Sequence, residues 1–123
     1  MAIDVLLVDE DTEVLDLTEI FLEREGDMNV ETESDPEAAL DRATDAEFDC
    51  VVSDYKMPRL DGAELCKQLR ERGEDLPFLL YTGRDPDQIA EDADDAGVTA
   101  TFQKGAHTDQ YQDLAALIRE ISD

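Results

Sequence analysis

Residues 50–63 read CVVSDYKMPRLDGA, and they hold more structural information than any other part of the chain. Apolar residues 50–52 predict a buried strand that delivers one carboxylate, Asp54, to its C-terminal end. The Met57–Pro58 step then turns the chain away, and a new helix begins after residue 62. Parallel α/β sheets hold their reactive groups at the C-terminal ends of their strands. The stretch therefore predicts an α/β fold with a functional site at Asp54.

A second acidic cluster, Asp9-Glu10-Asp11, follows the apolar residues 5–8. Because the C-terminal ends of parallel strands meet at one edge of the sheet, we expect Asp9 and Glu10 to converge with Asp54 in one pocket. Carboxylate oxygens gathered in this way suit a hard divalent cation such as Mg²⁺. Asp11 is interpreted differently, as a residue that assists the N-terminus of the first helix.

Composition limits the classes of function. The 123 residues predict one domain, spanning 1–123, and the formal net charge is −24 because 34 acidic residues face only 10 basic ones. A charge of this sign argues against binding of nucleic acid or an anionic membrane. No signal-peptide pattern and no apolar stretch of about 20 residues is found in the sequence, so we expect a cytoplasmic protein.

The acidic, lysine-poor composition resembles proteins of salt-loving archaea. At about 1 M salt the Debye length is only ~3 Å, so the mutual repulsion of surface carboxylates is largely screened. The alternative interpretation is an ordinary acidic protein. Cys50 and Cys66 have no metal-binding spacing and are predicted to be buried thiols. His107 is interpreted as a solvated loop residue, and Phe21 and Tyr111 as core residues.

Apolar runs and helical patterns alternate five times along the chain. The predicted strands are 4–8, 29–33, 48–53, 77–81 and 99–102. The predicted helices are 12–25, 36–46, 63–72, 85–96 and 109–121. Strands one, three and four are almost continuously apolar and should be central, whereas strands two and five are partly polar and should lie at the edges. This pattern predicts a (βα)5 three-layer sandwich with a parallel sheet of order 2-1-3-4-5.

Two more residues fall at the ends of the remaining strands, Thr82 after strand four and Lys104 after strand five. Together with the acids they are the groups needed to transfer a phosphoryl group to a carboxylate. Asp54 can attack phosphorus as a nucleophile. Lys104 can pair with the phosphoryl oxygens, and the Thr82 hydroxyl can donate a hydrogen bond to one of them.

The chain resembles, over essentially its whole length, the response-regulator receiver domains of two-component signalling, which have a flavodoxin-like (CheY-like) fold. The matching pieces are 7–11 (LVDED), 53–58 (SDYKMP), 61–62 (DG), 81–83 (YTG), 96–97 (AG) and Lys104. The resemblance implies that Asp54 is the phospho-acceptor and that Asp9, Glu10 and the backbone carbonyl of Lys56 bind Mg²⁺. It also implies that Thr82 is the switch hydroxyl and Lys104 the phosphate-pairing lysine.

The resemblance further implies a histidine kinase as phosphodonor and a downstream output domain or protein as partner. The domain would assist its own phosphorylation and dephosphorylation without being a metabolic enzyme. Residues 102–105 and 108–111 also resemble haloarchaeal receivers that stand at the N-terminus of sensor and histidine-kinase proteins.

The sequence departs from the family pattern at two positions. The family usually follows its lysine with a proline in a cis bond, whereas this chain has Gly105, for which we expect a trans peptide. The family usually has an aromatic residue where this chain has Thr101, and Phe102 should face the opposite side of the strand. We therefore expect phosphorylation to be read out differently along strand five.

Two alternative functions remain open. A Mg²⁺-dependent aspartyl phosphohydrolase would need a second acid two residues after its nucleophile, where this chain has Lys56. A degenerate receiver would bind partners without phosphorylation. The intact phospho-acceptor, threonine and lysine argue against degeneracy, whereas Thr101 and Gly105 favour it.

Overall fold

The computed structural model describes residues 2–45, 47–105 and 109–122. Five strands alternate with five helices in this part of the chain. The strands are β1 (Ile3–Val8), β2 (Met28–Glu33), β3 (Cys50–Ser53), β4 (Phe78–Thr82) and β5 (Ala100–Gln103). The helices are α1 (Thr12–Glu23), α2 (Pro36–Asp45), α3 (Gly62–Glu71), α4 (Pro86–Ala96) and α5 (Gln110–Ile121).

The strands form one parallel sheet of order β2-β1-β3-β4-β5, which confirms the predicted topology. β3 and β4 are buried along their whole length, whereas β2 alternates between buried and exposed residues and only Phe102 of β5 is buried. β1 and β3 pair in the register that places Val8 opposite Ser53. The residues that follow these strands, Asp9 and Asp54, therefore emerge side by side.

The core has two parts, one on each face of the sheet. Helices α2, α3 and α4 pack on one face around residues such as Leu65 and Ile89. Helices α1 and α5 pack on the other face around residues such as Leu22 and Ile118. Cys50 and Cys66 are buried free thiols on opposite faces, as predicted. The three-layer arrangement is therefore confirmed.

Each predicted element agrees with the structure to within two residues at either end. Asp11 caps α1, because its carboxylate accepts hydrogen bonds from the N–H groups of Glu13 (3.0 Å) and Val14 (3.4 Å). The prediction that Phe21 and Tyr111 belong to the core is wrong. Both are half-buried, and their rings stack on each other with centroids 4.4 Å apart, which joins α1 to α5 outside the core.

Parts of two predictions concern residues that the structure does not describe: the predicted end of the second helix at residue 46, and the interpretation of His107. Within the described ranges no helix has the length and apolar character needed to cross a membrane.

Gly62, the first residue of α3, packs directly against the backbone of Asp54. Its N–H donates to the Tyr55 carbonyl at 2.6 Å. A Cβ atom at this position would overlap the Asp54 carbonyl oxygen and lie 2.7 Å from a methyl carbon of Leu80. Only glycine lets the chain pass this close to the strand end. The start of α3 thereby fixes the backbone that carries the candidate nucleophile.

We expect Gly62→Ala to lower the free energy of unfolding by about 1–3 kcal/mol, because the new methyl group must displace backbone. Chemical denaturation would measure the loss. Gly83→Ala is the matched control, since a Cβ there meets no atom within 4 Å. Equal stability of the two variants would contradict the close approach of Gly62 to Asp54.

Candidate functional site

The C-terminal edge of the sheet gathers four of the predicted site residues. Asp9 directly follows β1, Asp54 directly follows β3, Thr82 ends β4 and Lys104 directly follows β5. The strand order brings these four positions to neighbouring points along one edge. The backbone N–H of Asp54 donates to the Val8 carbonyl at 2.9 Å, which continues the pairing of β1 and β3 into the site.

Lys104 supplies the positive charge between the two acids. Its Nζ lies 3.0 Å from Asp9 Oδ2 and 3.8 Å from Asp54 Oδ1. Its backbone N–H donates to the Thr82 carbonyl at 2.7 Å, so the residue is anchored to the end of β4. Asp9 is only 4% exposed, and its Oδ1 accepts the N–H of Asp11 at 2.9 Å. One ammonium group therefore balances two carboxylates in a largely buried place.

The surroundings of Asp54 raise the pKa of its carboxyl group above the usual value. Burial is the largest cause, because it penalises the charged form. The Lys104 ammonium opposes this by lowering the pKa, and the neighbouring Asp9 charge raises it again. Hydrogen bonds from the Tyr55 N–H (2.8 Å) and the Thr82 hydroxyl lower it further. Lys104 and the two hydrogen bonds therefore offset only part of the cost of placing a negative charge on Asp54.

Thr82 lies within reach of the acid. It is 2% exposed, and its Oγ1 accepts a hydrogen bond from the Arg84 N–H at 3.3 Å. Its hydroxyl proton remains available to Asp54, which is why this hydroxyl contributes to the pKa of that carboxyl group. The side chain can therefore donate to an oxygen atom carried by Asp54.

The structure does not add Glu10 to the pair of acids. Glu10 and Lys56 are exposed, and within the described ranges no group of three histidine, cysteine, aspartate or glutamate residues is arranged to hold a metal. The predicted convergence of carboxylates is found for Asp9 and Asp54 only. Asp9 is buried and paired with Lys104, whereas Glu10, the next residue, is exposed.

Sequence reasoning missed two tyrosines at the site. The Tyr55 hydroxyl donates to Asp92 of α4 at 2.7 Å, and the Arg84 guanidinium lies 5.8 Å from the Tyr55 ring centroid. The Tyr81 ring centroid lies 5.0 Å from Lys104 Nζ. Alternation along a strand indicates the sheet face of Tyr81, but no sequence pattern indicates how far a side chain reaches past a strand end.

Comparison with known proteins gives consistent results. The sequence profile of the response regulator receiver domain matches residues 5–116. Response regulator MprA of Mycolicibacterium vanbaalenii is 44% identical over 85 residues, and the protein of that name from Mycobacterium tuberculosis is 42% identical over 85 residues. Each alignment covers 69% of this chain but only 36% of the relative, so the chain matches about a third of the length of these proteins.

Solved structures show the same fold. A CheY-like response regulator receiver domain protein from Methanospirillum hungatei superimposes with a TM-score of 0.87 at 27% identity, covering 100% of this chain and 95% of that one. The receiver domain of a sensor histidine kinase from Pseudomonas aeruginosa superimposes with a TM-score of 0.84 at 21% identity, covering 99% and 98%. That second structure has a magnesium ion coordinated in its active-site cleft.

The raised pKa of Asp54 has a consequence for stability. The folded state holds this proton more tightly than the unfolded chain, so stability falls as pH rises from the unfolded value, about 3.9, through the folded pKa. At neutral pH the ionised Asp54 therefore destabilises the fold. Asp54→Asn should raise the melting temperature at pH 7 in metal-free buffer.

Thermal unfolding in the presence of a chelator would measure the effect, with Asp75→Asn as the control because Asp75 is an exposed acid outside the site. The benefit of Asp54→Asn should shrink as the pH is lowered toward the unfolded value. If Asp54→Asn melts no higher than Asp75→Asn, the ionised Asp54 does not destabilise the fold, and the raised pKa of its carboxyl group is contradicted.

Proposed function

The chain belongs to the response regulator receiver domain family, and we propose that it is a phosphorylation-controlled module of two-component signalling in which Asp54 accepts a phosphoryl group from a histidine kinase. The observation that supports this most directly is the position of Lys104, whose Nζ lies 3.0 Å from Asp9 and 3.8 Å from Asp54. An ammonium group at this point can pair with phosphoryl oxygens bound to Asp54.

The proposed reaction uses the chain's own side chains in distinct roles. A carboxylate oxygen of Asp54 attacks the phosphorus atom of a phosphohistidine, the nitrogen–phosphorus bond breaks, and its electron pair leaves with the imidazole. The product is an acyl phosphate on Asp54. Lys104 then pairs with the transferred group, and the buried Thr82 hydroxyl donates a hydrogen bond to one of its oxygens. The partly uncompensated charge of Asp54 suits a nucleophile.

The donor set fits Mg²⁺. Two carboxylates, Asp9 and Asp54, lie together and share a single ammonium, so a further cation would relieve their repulsion. We propose that Asp9 and Asp54 hold the ion together with Glu10 and the backbone carbonyl of Lys56. When bound, Mg²⁺ would neutralise the charge that develops on the phosphoryl oxygens. Glu10 must turn inward to join, which its exposed position allows.

The wider setting is also a proposal. We take residues 1–123 as the receiver unit, acting in the cytoplasm on a downstream output domain or protein and assisting only its own phosphorylation and dephosphorylation. The charge of −24 supports an origin in a salt-loving archaeon. The resemblance of the C-terminal part to haloarchaeal receivers supports a place ahead of sensory or kinase domains.

We expect incubation with acetyl phosphate and Mg²⁺ to add one phosphoryl group at Asp54. Asp54→Asn should abolish labelling, because an amide is a far poorer nucleophile than a carboxylate. Lys104→Met should slow labelling by about tenfold to a hundredfold, as expected for one charged hydrogen bond. Intact-protein mass spectrometry would follow the added mass.

The exposed acid variant Asp75→Asn should label like the wild type. Labelling that persists in Asp54→Asn would move the reactive group elsewhere. A wild-type protein that takes no label from acetyl phosphate or from a histidine kinase would favour a degenerate receiver that binds partners without phosphorylation.

The net charge generates a separate expectation for stability. Screening at high salt should remove most of the carboxylate repulsion, so the melting temperature should rise steeply between about 0.1 M and about 3 M KCl. Millimolar Mg²⁺ should add stability at low salt by binding the folded state. A variant with Glu91, Asp94 and Asp95 of α4 changed to amides should show a shallower salt dependence, since all three are exposed. A flat dependence in the wild type would overturn the halophilic proposal alone.

A further inference from the structure

The ring of Tyr81 lies next to the Lys104 ammonium group. It is the penultimate residue of β4 and 3% exposed, and its ring packs at a tilt against Phe102 with centroids 5.9 Å apart. Lys104 Nζ lies 5.0 Å from the Tyr81 ring centroid, within the range of a cation–π attraction. The ammonium therefore faces an aromatic ring as well as two carboxylates.

The hydroxyl of Tyr81 is tied to α5 through Gln110. The Gln110 side-chain N–H donates to the Tyr81 hydroxyl oxygen at 2.6 Å, and Gln110 Oε1 accepts a hydrogen bond from the backbone N–H of Gly105. A backbone N–H can only donate, so the amide oxygen must face Gly105 and the NH₂ group must face Tyr81. One half-buried side chain thereby joins β4, the first residue of α5 and the residue after Lys104.

The conformation of Gly105 determines the path of the backbone immediately after Lys104. The family pattern places a proline here, whose ring fixes φ near −65°. Gly105 instead has φ of 76°, a left-handed conformation that glycine adopts freely, and no cis peptide occurs among the described residues. The Lys104 N–H is already bonded to Thr82 on the preceding side. On the C-terminal side of Lys104, the hydrogen bond from the Gly105 N–H to Gln110 Oε1 fixes the backbone.

We propose that Tyr81 and Gln110 are positioning residues for Lys104. Gln110 fixes the Gly105 backbone, and Tyr81 presents its ring to the ammonium, so that the two residues supply the constraint that a proline gives in the usual family pattern. The inference rests on the proposed function in one respect: Lys104 must pair with the phosphoryl group for its position to matter to the reaction.

The test compares Gln110→Ala, Gln110→Glu and Tyr81→Phe with the control Gln112→Ala, which removes an exposed glutamine from the same helix. Two readouts use the metal-free, unphosphorylated full chain: the exchange rate of the Gly105 amide proton, and the NMR shift of the Lys104 ammonium. The third is the rate of Asp54 labelling by acetyl phosphate with saturating Mg²⁺.

Gln110→Ala should speed Gly105 exchange and slow labelling by about fivefold each, the factor expected for one hydrogen bond. It should also shift the Lys104 ammonium signal. Gln110→Glu should restore most of the labelling rate, because a carboxylate can accept from both the Gly105 N–H and the Tyr81 hydroxyl. Tyr81→Phe keeps the ring and the Gln110–Gly105 bond, so it should change Gly105 exchange less than Gln110→Ala does.

Wild-type values of Gly105 exchange and of the Lys104 shift in Gln110→Ala would overturn the proposal. So would equal slowing of labelling by Gln110→Ala and Gln112→Ala, or no rescue by Gln110→Glu, since each would indicate a general effect on α5. If the wild type takes no label, the proposed function fails, while the two NMR readouts still decide whether Gln110 positions Lys104.

Discussion

The two acids at the C-terminal edge of the sheet impose a constraint that the surrounding structure must meet. The parallel pairing of β1 and β3 brings Asp9 and Asp54 out side by side, where both are removed from much of the solvent. Two ionised carboxylates in such a place repel each other and lose hydration. Lys104, delivered by the edge strand β5, is the ammonium that offsets both costs. The compensation is incomplete, as the raised pKa of Asp54 shows.

Backbone contacts at the strand ends also hold these charges in place. Gly62 allows α3 to begin against the carbonyl of Asp54, and the Lys104 N–H bonds to the end of β4. Such contacts fix positions without adding charge, which matters in a protein that already carries −24. A bound cation would relieve the residual charge imbalance at Asp54.

Much of the fold and part of the site follow from sequence periodicity. Continuous and alternating apolar runs give the strand order, because they report whether one or both faces of a strand are covered. Asp9 and Asp54 follow from that order, since strand ends are set by the backbone. The stacking of Phe21 on Tyr111 and the exposure of Glu10 do not follow, because both depend on the rotamers that the side chains adopt.

The position of Phe102 bears on how the site communicates with the rest of the domain. Phe102 is 6% exposed and packs against Tyr81 on the α1 and α5 face, so turning it outward would open that part of the core. Tyr55 connects Asp54 to the protein surface without opening the core. Its N–H binds Asp54 and its hydroxyl binds Asp92 of α4, which lies at the surface. A phosphoryl group on Asp54 would add negative charge beside that N–H. We therefore expect hydrogen exchange, measured with and without a phosphoryl mimic, to change more in α4 than in β5.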